Sequence, residues 1–153
     1  MNALALYQAA LDAVSDAVLA GDFAAYAAMI DLPYLVQTET ARLVVTAQAD
    51  LRPTFDALHG GLRARGVQHY KRLARDAVFA RAGRIEGWHH SHMLRDGTFA
   101  VPSRWARQVL VLRDGGWRFS EARYPIMTDR WPMTDATLFA DPVLWPPAAG
   151  RTP

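Results

Sequence analysis

The feature that most constrains the fold is an Asp-Gly pair between two β-rich runs. Asp114 and Gly115 separate residues 104–113 from residues 116–126. A two-residue hairpin turn needs positive φ at both turn positions, and Asp-Gly tolerates this better than most pairs. The turn therefore predicts a tight hairpin with three cross-strand pairs: Arg113 with Gly116, Leu112 with Trp117, and Leu110 with Phe119.

This register also predicts which polar residues share a face with the apolar residues of the hairpin. Side chains alternate between the two faces of a strand, so the shared face includes Gln108, Glu121, Arg104 and Arg123. An apolar face that turns polar at one end is typical of the wall of a half-buried pocket. We expect Glu121 to act there as a general base or hydrogen-bond acceptor, beside Gln108, with Arg104 or Arg123 holding an anionic group. The alternative is a structural ion pair at a strand end.

Composition limits the class of protein. The chain has 153 residues, 51% of them hydrophobic and 21% charged, which fits one globular domain. The absence of cysteine excludes disulfides, thiolate metal sites and cysteine nucleophiles. The first residues lack a basic leader, and no apolar run approaches the ~18–20 residues that span a bilayer. We therefore expect a cytoplasmic protein that does not bind a membrane.

Arginine dominates the basic residues, since Lys71 is the single lysine among 17 basic side chains. The densest basic run, residues 63–75, is broken by apolar residues and has no aromatic ladder, so it does not resemble a nucleic-acid surface. We interpret it as a solvated helix end and a strand edge. The excess of arginine over lysine fits a high-GC genome, and we expect no nucleic-acid partner.

The remaining pattern predicts helices first and strands later. Residues 3–19 form an amphipathic helix, Gly21 ends it, and Asp22 caps a short second helix that stops by Pro33. A small hairpin spans residues 34–46, and a third helix, capped by Asp50, runs to residue 66. Its glycine pair at residues 60–61 suggests close packing against another element. About four antiparallel strands follow, which favours the α+β class.

The end of the chain has a different character. Residues 127–153 are rich in proline yet carry two tryptophans. We expect a domain at residues 1–126 and an extension at residues 127–153 that packs on this domain or on a partner chain. The final residues, from Ala148, are expected to be disordered.

Several of these segments together resemble one known superfamily. They are the short helix and turn at residues 24–33, the helix at residues 46–66, the strand at residues 87–94, and the run Asp114-Gly115-Gly116-Trp117-Arg118-Phe119. The chain resembles the nuclear transport factor 2-like superfamily, also called SnoaL-like or polyketide cyclase-like, whose final hairpin often reads Asp-Gly-x-Trp-Arg-hydrophobic. The resemblance covers roughly residues 4–126. It implies a curved antiparallel sheet wrapped around N-terminal helices, which form a cone with an internal pocket.

The resemblance implies a range of functions. Members include isomerases, dehydratases and cyclases that work by acid/base chemistry without a metal, together with transport proteins and domains of no known activity. We expect a small-molecule-binding domain without cofactor or metal, either a metal-free acid/base enzyme or a non-catalytic ligand-binding or dimerisation domain. The carboxylates available near the family's usual acidic positions are Asp31 and Glu121, and neither lies in a motif that fixes its role.

A second group of candidates lies in the run Trp88-His89-His90-Ser91-His92. On a strand, His89 and Ser91 share one face, while Glu86, His90 and His92 share the other. If the first face is concave, His89 can shuttle protons near neutral pH. If the second face is concave, Glu86, His90 and His92 imitate a two-histidine, one-carboxylate metal site. An ordinary histidine cluster without a ligand is the third interpretation, and we expect no metal.

Two further expectations concern ligand and partner. Tyr34, which follows Pro33, can donate a hydrogen bond to a ligand carbonyl, or it can be a core residue with its hydroxyl at the rim. The second face of the hairpin is also apolar, with Trp105, Val109, Val111 and Tyr124. Helices can cover one face of a sheet, so an apolar outer face predicts a partner, which we expect to be a second copy of the chain.

Overall fold

A computed structural model describes residues 1–143. The helices are α1 (Ala3–Ala20), α2 (Phe23–Ala28), α3 (Arg52–Ala64), which follows a 3₁₀ turn at Gln48–Leu51, and α4 (Asp135–Leu138). The strands are β1 (Ile30–Gln37), β2 (Arg42–Val45), β3 (His69–Arg81), β4 (Arg84–Arg95), β5 (Thr98–Phe99), β6 (Arg104–Arg113) and β7 (Gly116–Arg123). The predicted disorder from Ala148 lies outside the described residues.

The first two helices begin and end where the sequence indicates. The side chain of Asn2 accepts a hydrogen bond from the Ala5 N–H at 2.8 Å and caps α1. Gly21 ends that helix with φ 73°, a left-handed conformation that favours glycine. The Asp22 carboxylate then caps α2 by accepting from the Ala25 N–H at 3.1 Å. The predicted stop and cap are both confirmed.

Six strands form one curved sheet in the order β2-β1-β7-β6-β4-β3, and β5 adds to β4. The predicted small hairpin, β1 with β2, is part of this sheet because β1 pairs in parallel with β7. The second helix is shorter than predicted, since the chain is already extended at Ile30. The α+β class with a curved sheet around N-terminal helices is confirmed, but the sheet is mixed rather than wholly antiparallel.

The hairpin register is confirmed at the turn and changes five residues beyond it. Arg113 pairs with Gly116, Leu112 with Trp117 and Leu110 with Phe119, as predicted. The next pair is Val109 with Glu121, so Ser120 is an extra residue that forms a β-bulge. Because one inserted residue reverses the alternation, Glu121 and Arg123 move to the opposite face from Gln108 and Arg104. The prediction that all four share the concave face is wrong.

Helix α1 lies across the concave face of the sheet. Its apolar stripe, Tyr7, Leu11, Val14 and Val18, is at most 2% exposed. A Cβ at Gly87 of β4 would lie 2.7 Å from ring carbons of Tyr7, so glycine is what lets this ring approach the strand. The helix is long and apolar enough to cross a membrane, but core helices of globular proteins meet the same criterion. Here the stripe packs against the sheet.

Residues 127–143 pack over α3 and the open end of the sheet. Met133 and Phe139 are buried, and the indole N–H of Trp131 donates to the Asp50 carbonyl at 2.7 Å. Gly61 makes room for the Phe139 ring, whereas a Cβ at Gly60 would meet nothing within 4 Å. Of the glycine pair, Gly61 therefore makes the close contact that the sequence predicts.

The predicted cap of α3 is wrong, because the Asp50 side chain makes no capping hydrogen bond. The domain boundary at residue 126 stays a prediction.

Candidate functional site

A cavity lies between the concave face of the sheet, the helices and residues 125–138. The volume open to the centre of a water molecule is about 80 Å³, several times the ~10–15 Å³ that one buried water requires. Most of its lining is apolar, including Val14, Ile30, Met93, Phe119 and Met133. The polar lining consists of Tyr26, Tyr34, Thr54, Tyr70, Arg72, His89, Ser91, Arg104, Gln108 and Tyr124.

His89 lies in the wall of this cavity and is 2% exposed. Its Nδ1 is 2.8 Å from the hydroxyl of Tyr7, which α1 brings across the sheet. Burial lowers the pKa of His89 well below 6.5, and the nearby charge of Arg72 lowers it further. The imidazole is therefore neutral at pH 7. When Nδ1–H donates to Tyr7, Nε2 carries a lone pair that can accept a proton.

A chain of polar groups crosses the cavity from β1 to β6. The hydroxyl of Tyr34 hydrogen-bonds to that of Tyr124, and Gln108 Nε2 donates to the Tyr124 hydroxyl at 3.1 Å. Burial raises the pKa of both tyrosines, so their hydroxyls stay protonated and can donate. Gln108 is 2% exposed, and its Oε1 has no hydrogen-bond partner among the described residues. These groups can orient a polar ligand.

Two buried arginines face the same cavity from either side of β4. The register places Arg72 of β3 opposite Ser91, and Ser91 opposite Arg104 of β6, so the three residues form one row across the sheet. Arg72 is 6% exposed and Arg104 is 9% exposed. Arg72 Nη2 donates to the Tyr70 hydroxyl at 2.6 Å, and Arg104 Nη1 donates to the Leu138 carbonyl at 2.8 Å. The interpretation of the basic run as solvated is wrong at Arg72.

The sequence candidates divide between the two faces of the sheet. His89, Gln108, Arg104 and Tyr34 line the cavity, and their roles in binding or catalysis stay predictions. Glu121 does not line it; on the outer face, the face away from α1, its carboxylate accepts from Arg84 Nη2 at 2.7 Å. Arg123 is displaced from the cavity in the same way by the Ser120 bulge.

The other carboxylate candidate, Asp31, also lies away from the cavity. Arg113 holds it through two hydrogen bonds, Nε to Oδ1 at 3.2 Å and Nη2 to Oδ2 at 3.3 Å. Within residues 1–143, no aspartate or glutamate lines the cavity. An acid/base reaction at this site would therefore depend on His89 rather than on a carboxylate.

The outer histidines do not form the alternative metal site. Glu86 accepts hydrogen bonds from Arg84 and Arg107 instead, at 3.3 and 2.7 Å. His90 stacks on Trp105 with ring centroids 4.6 Å apart, and His92 Nδ1 lies 2.6 Å from the Ser103 hydroxyl. In the described part of the chain, no three His, Asp or Glu side chains are placed to hold a metal.

The sequence does not single out Arg72 and Tyr124, which line the cavity, or Tyr7, which contacts His89 from α1. Tyr7 follows Leu4 and precedes Leu11 at helical spacing, so its place on the apolar stripe was available as a signal. Arg72 alternates with Tyr70 and Ala74 on one face of a strand, but the arginines around it hide that alternation. Tyr124 was assigned to the outer face because nothing in the sequence marks the bulge at Ser120.

Comparison with known proteins gives similarity in fold alone. No protein-family model matches the chain, and no curated protein matches it. Among solved structures, a nuclear transport factor 2-like protein with a cystatin-like fold from Novosphingobium aromaticivorans is 17% identical, with a TM-score of 0.56 over 78% of each chain. A protein of unknown function from Mycobacterium tuberculosis is 17% identical, with a TM-score of 0.56 over 78% of this chain and 68% of that one.

A third similar structure is a nuclear transport factor 2-like protein of unknown function from Shewanella oneidensis. It is 10% identical, with a TM-score of 0.54 over 75% of this chain and 92% of that one. These proteins share helices packed against a curved sheet with the present chain, and identities this low do not extend to chemistry. The chain has the nuclear transport factor 2-like fold.

Proposed function

We propose that this chain binds a small, partly apolar organic molecule in the cavity and transfers a proton with His89 as the acid/base group. The observation that carries the proposal is the placement of His89 in the cavity wall, buried and neutral, with Nδ1 held by Tyr7 at 2.8 Å. A neutral imidazole in an enclosed site can accept a proton without first losing one.

The reaction class follows from the groups around His89. Nε2 would accept a proton from a carbon next to a ligand carbonyl, and the electron pair of the broken C–H bond would move into the carbonyl to form an enolate. A protonated tyrosine hydroxyl, from Tyr34 or Tyr124, can stabilise the developing oxyanion. Return of this proton from Nε2 to the γ-carbon of a conjugated enolate completes an isomerisation. In a dehydration, the bond from the β-carbon to its hydroxyl breaks instead, and the hydroxyl takes the proton from Nε2 and leaves as water. These steps need no metal or cofactor.

A thermal-shift screen of the purified protein against small carbonyl-bearing metabolites tests binding. Hits are then incubated with the protein, and product formation or exchange of the substrate C–H in D₂O is followed by NMR. We expect His89→Gln to abolish exchange while the ligand still stabilises the protein. His69→Gln, on the same sheet but exposed, is the matched control and should keep full activity. Equal exchange by His89→Gln and the parent protein would refute the role of His89.

The second candidate is a non-catalytic ligand-binding domain. The observation that favours it is that no carboxylate lines the cavity within residues 1–143, whereas acid/base sites often combine two titratable groups. Ligands that stabilise the protein but are recovered unchanged, without deuterium exchange, would support this alternative over the enzyme.

A further inference from the structure

Neither arginine of the cavity has an ion-pair partner within 4 Å among residues 1–143, although the Asp141 carboxylate attracts Arg104 from a longer distance and thereby opposes the lowering of its pKa by burial. Arg72 and Arg104 form no ion pair among the described residues, where eight other pairs are present. Residues 144–153 contain no aspartate or glutamate, so they cannot supply a side-chain carboxylate. Burying a charge is costly unless an opposite charge or hydrogen bonds compensate for it. Two buried guanidinium groups without an ion pair in one cavity therefore favour an anionic ligand.

The unpaired atoms of Arg104 indicate the shape of that anion. Nη1 donates to the Leu138 carbonyl, whereas Nε and Nη2 are buried and have no hydrogen-bond partner among residues 1–143. Nε and Nη2 form the side edge of a guanidinium group, which matches the two oxygens of a carboxylate. Arg113 of this protein uses the same two atoms to hold the Asp31 carboxylate. Arg104 lines the cavity, and no carboxylate side chain of residues 1–143 does so.

Arg72 supports the same site from the other side of Ser91. Its guanidinium lies 4.6 Å from the centroid of the Tyr70 ring and donates to the Tyr70 hydroxyl, which leaves Nε buried without a partner. The strand itself is fixed, since Gln8 of α1 donates to the Arg72 carbonyl and accepts from the Ala74 N–H, both at 2.8 Å. The arginine is thus held in place before any ligand binds, which reduces the entropic cost of binding.

We propose that the ligand is a small organic acid whose carboxylate binds the Nε–Nη2 edge of Arg104, with Arg72 as the second cation. The inference rests on the proposed function, because it names the ligand class of the same cavity. His89 lies two residues from Ser91 on β4, about 7 Å along the strand. A carboxylic acid of a few carbon atoms can therefore reach from the arginines to the imidazole. The apolar lining encloses the rest of the acid.

The test is isothermal titration calorimetry with matched acids and neutral compounds. The probes are hexanoate and benzoate, their amides hexanamide and benzamide, and phenyl phosphate. We expect at least one acid to bind at least tenfold more tightly than its amide, and more tightly than phenyl phosphate. Arg104→Met should lower the affinity for the acid at least tenfold. Arg104→Lys keeps the charge but loses the planar edge, so it should lower the affinity less. Arg81→Met, on the exposed end of β3, should leave affinity unchanged.

Each other outcome has a definite meaning. Amides that bind as tightly as acids would overturn the carboxylate site and leave the proposed small-molecule function standing. Tighter binding of phenyl phosphate than of the acids would overturn the carboxylate site and show that the site prefers a phosphate ester. If neither these compounds nor the metabolite screen gives any binding, the proposed function itself fails. Because the acid–amide comparison uses the unmodified protein, it decides the matter even if Arg104→Met does not fold.

Discussion

The hydroxyl of Tyr7 and Nδ1 of His89 lie 2.8 Å apart, although 82 positions separate them in the chain. The contact joins the first helix to the middle of the sheet at the wall of the cavity. Both residues are at most 2% exposed, so the contact is shielded from bulk solvent. The same contact therefore stabilises the fold and occupies Nδ1 of His89, which leaves Nε2 for a ligand.

Tyr7→Phe should destabilise the protein by about 1–3 kcal/mol, because it leaves a buried imidazole nitrogen without a hydrogen-bond partner. Urea unfolding of Tyr7→Phe, His89→Leu and the double variant forms a double-mutant cycle. We expect the double variant to lose less stability than the sum of the two single variants. Strict additivity would show that the two side chains do not interact in solution.

The free energy of unfolding should fall as the pH is lowered below about 6.5. His89 titrates near 6.5 in the unfolded chain, and its pKa in the folded protein is well below that value because of burial and Arg72. Below pH 6.5 the unfolded state therefore binds the additional proton. The stability is fully present above pH 6.5 and declines towards the folded-state pKa by at most about 1.4 kcal/mol per pH unit for this residue.

The pKa values of His90 and His92 are also lowered, mainly by burial, so they contribute to this decline in the same direction. Urea unfolding from pH 7.5 to 5.5 in a His90→Gln/His92→Gln background isolates the share of His89, because Glu86 and Asp135, whose pKa values are also lowered, affect stability at lower pH. His89→Gln in that background should flatten the remaining slope. An unchanged slope would mean that other groups cause it.

Glu121→Gln should leave ligand binding unchanged and cost no more than about 1 kcal/mol of stability. The carboxylate is partly exposed on the outer face and is paired with Arg84 there, where such pairs contribute little. Gln108→Met provides the contrast, because Gln108 lines the cavity. This variant should bind the ligand more weakly. Calorimetric titration of both variants is the measurement. If Glu121→Gln bound the ligand more weakly and Gln108→Met did not, the Glu121 carboxylate would have to contribute to ligand binding.

Gly60→Ala and Gly61→Ala should act in opposite directions although they are neighbours in α3. At Gly60 a methyl group meets nothing within 4 Å, so better helix propensity should stabilise the protein by up to about 1 kcal/mol. At Gly61 the methyl group would collide with the Phe139 ring and displace the C-terminal segment. Thermal unfolding of both variants checks this. Equal stabilisation would show that the segment does not pack on α3.

The homodimer expected from the sequence stays a prediction. Of the residues from which it was inferred, Val109 and Val111 are at most 6% exposed and Tyr124 lines the cavity, so they do not form an exposed outer patch. The exposed apolar side chains of the outer face are instead those of Leu73 (45% exposed) and Val78 (53% exposed), and such side chains on a sheet face favour a partner.

We expect a dimer by light scattering at micromolar concentration and a monomer for Leu73→Glu/Val78→Glu. Val44→Glu, on the edge strand β2 and 59% exposed, should remain dimeric. A monomeric parent protein would end the proposal.

The parts of the fold that follow from local chemistry could be predicted. Gly21 and Asp22 mark the junction of α1 and α2 because left-handed backbone and N-caps demand particular residues. The Asp114-Gly115 turn fixes the adjacent pairs for the same reason. The Ser120 bulge could not be predicted, since it carries no glycine or proline signal and lies where β7 pairs with the distant strand β1 as well as with β6. That one residue accounts for the wrong placement of Glu121, Arg123 and Tyr124.

Site residues could be predicted where side chains alternate regularly along a strand. They could not be predicted where long-range packing determines which side chains are buried. His89 and Ser91 share a face in any regular strand, but the packing of α1 decides that this face lies inside the molecule. Arg72 could not be separated from the surrounding arginines by sequence, because its burial depends on its contacts with Tyr70 and on the packing of α1 against β3.

The bulge at Ser120 also decides which charges enter the cavity. If Ser120 paired with Val109 in regular register, Glu121 would lie opposite Gln108, so Glu121 and Arg123 would turn inward and Tyr124 outward, without any substitution. An interior whose arginines have no ion pair would then gain a carboxylate. Relatives with the same residues here but no bulge would thus prefer ligands of different charge while keeping the same scaffold.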